Sequence, residues 1–494
     1  MLRRRSGGCE TSTLVPHSVK VVRSNSAHSP GSAGQDGRGA LHGRGRLAAV
    51  ERARELCRLL LSERGEASGV ALARDVIATY DSMDSASREA FFELLAREFD
   101  PEPAAIAQAA RRYHDSPSPD AFIALSATVE APRQELFRRI NFAPKGTRTL
   151  VEMRGHLLGL LSSRPRLAGV DFDLRHLLGS WFNRGFLRLE RIDWHTSAEV
   201  LEKLIRYESV HEINGWPDLR RRLAEDRRCF GFFHPALPYE PLIFVEVALT
   251  RGLVTALEPL LDLDAPVTDP NTADTAVFYS INNCLSGLRG ISFGSFLIKQ
   301  VMEELSAEFA GIRRYVTLSP LPDFARAVRA NGDNAESNGF TRERLGRLLR
   351  DYAGELTRRG GGSDAVDALR RLLERPLEHR RTLAAPLSRL ALAYLTRRRR
   401  DGAALDPVAH FHLANGARLE RIDAYANLRP YGLSRSFGVM ANYRYLPGEL
   451  EHNHERYVRG GEIAMSARLA REHKKIEALW RGTSHSRASA EASR

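Results

Sequence analysis

The spacing of apolar residues changes character near residue 188, and that change restricts the fold more than any other feature of this 494-residue chain. From about residue 46 to 187, apolar residues recur every three or four positions, as in "LAAVERARELCRLLLSE", "TLVEMRGHLLGLLSS" and "DLRHLLGSWFNRGFL". That is the period of amphipathic helices. "SASREAFFELLAREF" adds a serine cap signal at its start. Short polar or proline-bearing loops separate these stretches, so 46–187 is predicted to be an all-α helical bundle. After 188, helical stretches ("SAEVLEKLIRYESV", "PDLRRRLAED") lead into "PLIFVEVALT", a buried strand from Leu242 to Leu249. "AVFYSIN", from Ala276, and "YVTLSP" are the next predicted strands, with a glycine loop and a helix from about Ser295 to Phe309 between them. A short helix "DFARAVRA", a helical hairpin over roughly 340–400 and two strand candidates, "VAHFHLANG" and "GVMANYRYL", complete the pattern. No internal repeat is evident. The expectation is an α+β multidomain protein whose second domain, 188–482, is α/β.

The ends read differently. Residues 1 to about 45 are rich in Ser, Gly and Arg with almost no apolar periodicity, and are expected to be disordered. The stretch 483–494 is expected to be a flexible tail. No apolar run approaches the roughly 20 residues a membrane helix needs, so no membrane partner is expected. The net charge of +12 favours anionic partners such as nucleic acid, phosphates, carboxylates or coenzyme A. Without an aromatic-interleaved basic patch or zinc-finger spacing, nucleic acid is not among the expected partners. Four scattered cysteines, Cys9, Cys57, Cys229 and Cys284, with no C-x-x-C, fit a reducing compartment. The arginine- and alanine-rich, bacterial-like composition favours a cytoplasmic location. A mitochondrial one is less favoured, although the arginine-rich N-terminus vaguely resembles a transit peptide.

The stretch "SGLRGISFGSFLIKQVMEEL", Ser286 to Leu305, supports two chemistries. Gly290-Ile291-Ser292-Phe293-Gly294 matches the G-x-S-x-G of a serine hydrolase elbow. It also reads as a glycine loop opening a helix, a cradle for phosphate. An elbow serine sits directly at a strand end, whereas here "NNCLSGLRG" separates the strand from Ser292. That spacing favours the cradle. Gly287, Gly290 and Gly294 would let backbone approach the ligand, and Arg289 would add charge-assisted hydrogen bonds.

The order strand, strand, glycine loop, helix, strand, helix resembles the core of the Gcn5-related acetyltransferase (GNAT) fold. In that fold the loop holds a coenzyme A pyrophosphate and the pantetheine arm enters between two splayed strands, here "AVFYSIN" and "YVTLSP". Five blocks, "HPALPYEPLIFVEVALT", "VFYSINNCLSGLRGISFGSFLIKQV", "LSPLPDF", "DPVAHFHLANGA" and "GVMANYRYLPGE", together resemble malonyl-CoA decarboxylases. The resemblance implies a GNAT-like catalytic domain behind a helical bundle. It also implies conversion of malonyl-CoA to acetyl-CoA and carbon dioxide with no metal or organic cofactor, and a homo-oligomer, dimer or tetramer. Carried over by the resemblance, the coenzyme-binding loop falls on Arg289, Gly290, Ile291, Ser292, Phe293, Gly294 and Ser295. The catalytic pair falls on Ser319 and His412, with Tyr445 and Ser280 in support. The family's animal members carry an acidic residue where this chain has Ser292.

The chemistry suits these residues. Loss of carbon dioxide from a malonyl thioester leaves an enolate, which needs hydrogen-bond donors at its oxygen and a proton at carbon. Histidine handles proton traffic near neutral pH. Taken alone, Ser319 reads as a strand-end serine before Pro320, and His114, His156 and His176 as structural. His410 and His412 share one face of a presumed strand by period two, without a third residue to make a metal site. "EHNHE", Glu451 to Glu455, reads as an exposed polar run. Two other activities share some of these features: an acyl-CoA-dependent acyltransferase, and a serine thioesterase or hydrolase using Ser292, His412 and an acid such as Asp406.

Overall fold

The structure is a computed structural model and describes residues 35–291, 297–330, 339–362, 364–399 and 402–482. Up to Trp181 the described chain is helical, from the helix Gln35–Leu61 to the helix Ala168–Trp181. The first helix starts at Gln35, ahead of the expected boundary near 45; residues 1–34 and the expected tail 483–494 lie outside the described residues. Phe91, Phe92, Leu95, Phe137, Leu157 and Leu174 fill the core of this bundle. A buried ion pair, Arg133 Nε to Asp173 Oδ2 at 2.6 Å, ties two of its helices together.

The chain then enters one mixed sheet. Its strands are β1 (Arg188–Ile192), β2 (Arg227–His234), β3 (Leu237–Thr250), β4 (Thr275–Asn283), β5 (Arg314–Thr317), β6 (Ser319–Pro320), β7 (Arg418–Asp423) and β8 (Met440–Tyr445). The order is β1-β2-β3-β4-β5-β8-β6, with β7 also on β8. Every pairing is antiparallel except β4 with β5. This is the acetyltransferase-like architecture expected. β4 and β5 pair from Thr275–Arg314 to Phe278–Thr317, with a last bond from Leu318 N to Phe278 O at 3.0 Å. Past that point β4 continues to Asn283, while Ser319 and Pro320 turn to Ala441 and Met440 of β8. The two parallel strands therefore part at Ser319.

The C-terminal core contains β2–β5, β8 and the helix Leu297–Glu308, and it includes Val151, Leu178 and Phe182 from the bundle. The bundle and the sheet thus share a packed boundary.

Several expectations are corrected. "VAHFHLANG" is a helix, Pro407–Ala414: Asp406 Oδ1 caps it by accepting from Ala409 N at 2.8 Å, and proline occupies its first turn. Its buried face is Ala409, His412 and Leu413, spaced three and four apart, but with a histidine on that face the apolar letters alone alternate like a strand. The region 340–400 holds the helices Arg342–Leu349, Ala353–Gly360, Ala365–Leu372 and Arg380–Leu395 in place of one hairpin. β1, β2 and β7 were not anticipated. β1 and β7 share the run "RLERI", which continues as "RLERID" at 188–193 and 418–423, a short repeat that escapes notice among so many arginines.

Candidate active site

Where β4 and β5 part, four side chains form one line of hydrogen bonds. Ser319 opens β6 and is 5% exposed. Its Oγ lies 2.8 Å from His412 Nε2 and 2.8 Å from Thr317 Oγ1, one side-chain period back along the strand. His412 arrives from the Pro407–Ala414 helix, and its Nδ1 lies 2.8 Å from the Tyr445 hydroxyl on β8. Thr317 Oγ1 also accepts the Tyr443 backbone N–H at 3.2 Å. The His412 ring stacks on Tyr443, centroids 4.5 Å apart, and packs edge-on against Phe411. β5, β6, β8 and the Pro407–Ala414 helix thus each fix one member of the line.

Burial sets the charges here. His412, 2% exposed, has its pKa pushed down to about 3 by desolvation, so its imidazole is neutral at physiological pH. Desolvation also pushes the Tyr445 phenol far above its usual range. Asp406, fully buried under the helix start, is pushed up to about 7, chiefly by burial. A neutral imidazole has one N–H and one bare nitrogen, so the line Tyr445–His412–Ser319–Thr317 has a direction.

The cradle is only partly described. Ser292, Phe293, Gly294 and Ser295 lie outside the described residues. Gly290 adopts φ +76°, with open space beside it, as the approach of a ligand to backbone requires. Arg289 is exposed, and Ile291 packs into the core. Gly287 is corrected: a Cβ there would stand 1.8 Å from Val151 O, so this glycine admits the bundle helix Gly146–Leu160 and not a ligand. That helix also supplies Arg154, a residue the sequence did not single out. Arg154 is 2% exposed; its Nη1 donates to Gly287 O (2.6 Å) and Arg289 O (2.9 Å), and its Nε pairs with Asp171 at 2.8 Å. A buried arginine among leucines, one helix face from the boundary, was the available signal.

Ser280 is placed in another cluster. Its hydroxyl donates to Glu208 Oε2 at 2.7 Å, which also accepts from Asn282 at 2.8 Å. Directly across β3 lies Glu246, paired with Arg222 at 2.9 Å. No hydrogen bond joins Ser280 to Ser319, His412 or Tyr445 among the described residues.

The competing constellations do not form. His410 and His412 share a helix and not a strand face; His410 Nδ1 meets Tyr457 OH at 2.8 Å. "EHNHE" lies in the helix Leu450–Gly460, with Asn453 buried and His454 Nδ1 2.6 Å from Ala414 O, so the run is not a fully exposed one. Among the described residues no group of three His, Cys, Asp or Glu is arranged to hold a metal ion. Asp406 caps its helix while Nδ1 of His412 faces Tyr445, so the two do not make a triad. β4 ends at Asn283, well before Ser292. Burial raises the thiols of Cys57, Cys229 and Cys284, which makes all three packing residues. His156 is bound by Tyr80 OH at 2.9 Å in the bundle. No described helix is long and apolar enough to cross a membrane.

Comparison with known proteins identifies the family. The family model of the malonyl-CoA decarboxylase C-terminal domain matches residues 185–484, and that of the N-terminal domain matches 99–182. The mitochondrial malonyl-CoA decarboxylase of Anser anser anser is 34% identical over 345 residues, covering 68% of each chain. The malonyl-CoA decarboxylase of Rhodopseudomonas palustris, a crystal structure, superposes with a TM-score of 0.75 at 44% identity over 85% of this chain and 99% of that one. That of Agrobacterium vitis does so with 0.72 at 42%, over 87% and 99%. With matches over both units of the fold and at these identities, the chain belongs to the malonyl-CoA decarboxylase family.

Proposed function

We propose that the protein converts malonyl-CoA to acetyl-CoA and carbon dioxide, and that Ser319 and His412 carry the reaction. The observation behind this reading is the contact of 2.8 Å between Ser319 Oγ and His412 Nε2 at the point where β4 and β5 part. A pantetheine arm entering that wedge brings its thioester to the Ser319 hydroxyl. The bond between the carboxylate carbon and Cα breaks, carbon dioxide leaves, and the electron pair moves onto the thioester oxygen. A hydroxyl aimed at that oxygen stabilises the enolate by on the order of 3 kcal/mol. One proton then enters at Cα through the Ser319–His412 pair, and solvent restores it after product leaves. Hydrogen-bond donors and a proton suffice for these steps, so no cofactor is required. The dry surroundings of the pair strengthen each of these interactions. The cradle around Gly290 holds the pyrophosphate. The composition favours a cytoplasmic location, and the family resemblance favours a homo-oligomer, whose size light scattering would check.

The test is product analysis with malonyl-CoA and no acceptor. Acetyl-CoA and carbon dioxide in equal amounts are expected. Free coenzyme A and malonate would mean a thioesterase, and turnover only with an added amine would mean an acyltransferase.

A further inference from the structure

We propose that Thr317 is a positioning residue that sets the direction of the hydrogen-bond line and so keeps Ser319 a proton donor and not a nucleophile. This rests on the decarboxylase reading of the Ser319–His412 pair.

Ser319 has one hydroxyl hydrogen and two partners at equal distance, His412 Nε2 and Thr317 Oγ1, each at 2.8 Å. In a serine hydrolase that hydrogen points to histidine, which removes it as the oxygen attacks. Thr317 offers it another place to go. The line has two possible directions. In one, Tyr445 O–H donates to Nδ1, Nε2–H donates to Ser319, and Ser319 donates to Thr317. In the other, every hydrogen is reversed. The ends of the line decide between them. A phenol, with a free pKa near 10, is a stronger donor than an aliphatic alcohol, and its oxygen is a weaker acceptor because its lone pair is drawn into the ring. Tyr445 is 1% exposed, so leaving its hydroxyl hydrogen without an acceptor is costly, and His412 Nδ1 is the acceptor it meets. At the other end, Thr317 Oγ1 is fully buried and already accepts the Tyr443 N–H at 3.2 Å. A threonine oxygen has two lone pairs, and the second receives Ser319. Each direction leaves one terminal hydroxyl hydrogen without an acceptor among the described residues, that of Thr317 here or that of Tyr445 in the reverse, and the phenol, as the stronger donor, is the costlier one to leave unpaired.

The direction therefore runs from Tyr445 to Thr317, and the His412 proton rests on Nε2. In this state Ser319 lacks a base to activate it, because the nitrogen facing it carries a hydrogen. Its own hydrogen turns from Thr317 to the thioester oxygen when substrate arrives, and Nε2–H stands behind it as the proton reserve. Thr317 thus separates decarboxylation from thioester hydrolysis in a site that otherwise holds a serine and a histidine in contact.

The experiment compares the parent protein with Thr317→Val and Thr317→Ser, on full-length chains. Decarboxylation of malonyl-CoA, release of free coenzyme A, and labelling of Ser319 by an alkyl fluorophosphonate are measured. Labelling forms an Oγ–P bond, expels fluoride and passes the serine proton to Nε2, so it reports a bare nitrogen there. Thr317→Val is expected to lower decarboxylation about tenfold or more and to raise both labelling and coenzyme A release at least tenfold over the parent. Thr317→Ser, which keeps the acceptor, is expected to restore the parent behaviour. A folded Thr317→Val with parent rates and no added labelling would overturn the assignment. Nitrogen NMR of the parent's His412 ring is independent of any variant's folding: a proton on Nε2 is expected, and one on Nδ1 would overturn the direction. A parent that does not decarboxylate malonyl-CoA would instead sink the functional reading itself.

Discussion

His412 is held neutral by burial, and this makes a prediction about stability that can be separated from catalysis. Its pKa is about 3 in the fold and about 6.5 in an unfolded chain. Below pH 6.5 the unfolded state binds a proton that the folded state refuses. Stability contributed by this residue is therefore present above pH 6.5 and lost as pH falls from there toward 3. Each pH unit in that window costs about 1.4 kcal/mol, so from pH 7.5 to 5 the loss is about 2 kcal/mol. The parent alone will not display it cleanly. Burial also drives His211 down to about 3, which adds a loss of the same sign. Glu246 and Asp406 are both pushed up to about 7, so they take up protons in the fold first and gain stability as pH falls below 7. These contributions oppose one another, and the comparison with His412→Asn isolates one of them. The assay is urea unfolding of both proteins at pH 7.5 and 5, followed by tryptophan fluorescence from Trp181, Trp194, Trp216 and Trp480. The stability advantage of the parent over the variant should shrink by about 2 kcal/mol on acidification. A pH-independent difference would show that His412 titrates normally in the fold and would remove the neutral imidazole from the mechanism.

In a double-mutant cycle on decarboxylation, His412→Asn and Ser319→Ala should each lower turnover by roughly a hundredfold or more, with the double variant little worse than either; multiplied losses would mean independent donors. Arg154→Lys cannot reach both Gly287 O and Arg289 O, so KM for malonyl-CoA should rise about tenfold while kcat stays within about twofold; an unchanged KM would detach Arg154 from the cradle. Ser280→Ala removes one donor to Glu208 and should lower stability by about 1–3 kcal/mol, measured by urea unfolding. Its turnover should stay well above that of Ser319→Ala; equal losses would return Ser280 to the reacting atoms.

The periodicity of the chain determined the helical bundle, the strands β3, β4 and β8, and the helix after the glycine loop, because these segments each bury one face or both in a regular pattern. The block resemblance located Ser319, His412 and Tyr445, which the structure brings into one line. Tertiary structure decided the rest. β1 and β7 have too many arginines to read as strands, and they form because neighbouring strands supply their backbone partners. The Pro407–Ala414 segment is a helix because Asp406 caps it and it buries Ala409, His412 and Leu413 on one helical face, so alternation in sequence did not mean a strand. Ser280 and Ser319 both lie on strands just past the point where β4 and β5 part, yet a bulge between β3 and β4 sends Ser280 to Glu208. Gly287 reads as part of a ligand loop until the bundle helix is seen resting on it. Thr317 is an ordinary strand residue in sequence. Its position two residues before Ser319, with both hydroxyls on one side of the strand, acquires meaning only when β8 and the His412 helix close over them. Local propensity is set by neighbours along the chain, whereas the direction of a hydrogen-bond line is set by groups that only folding makes neighbours.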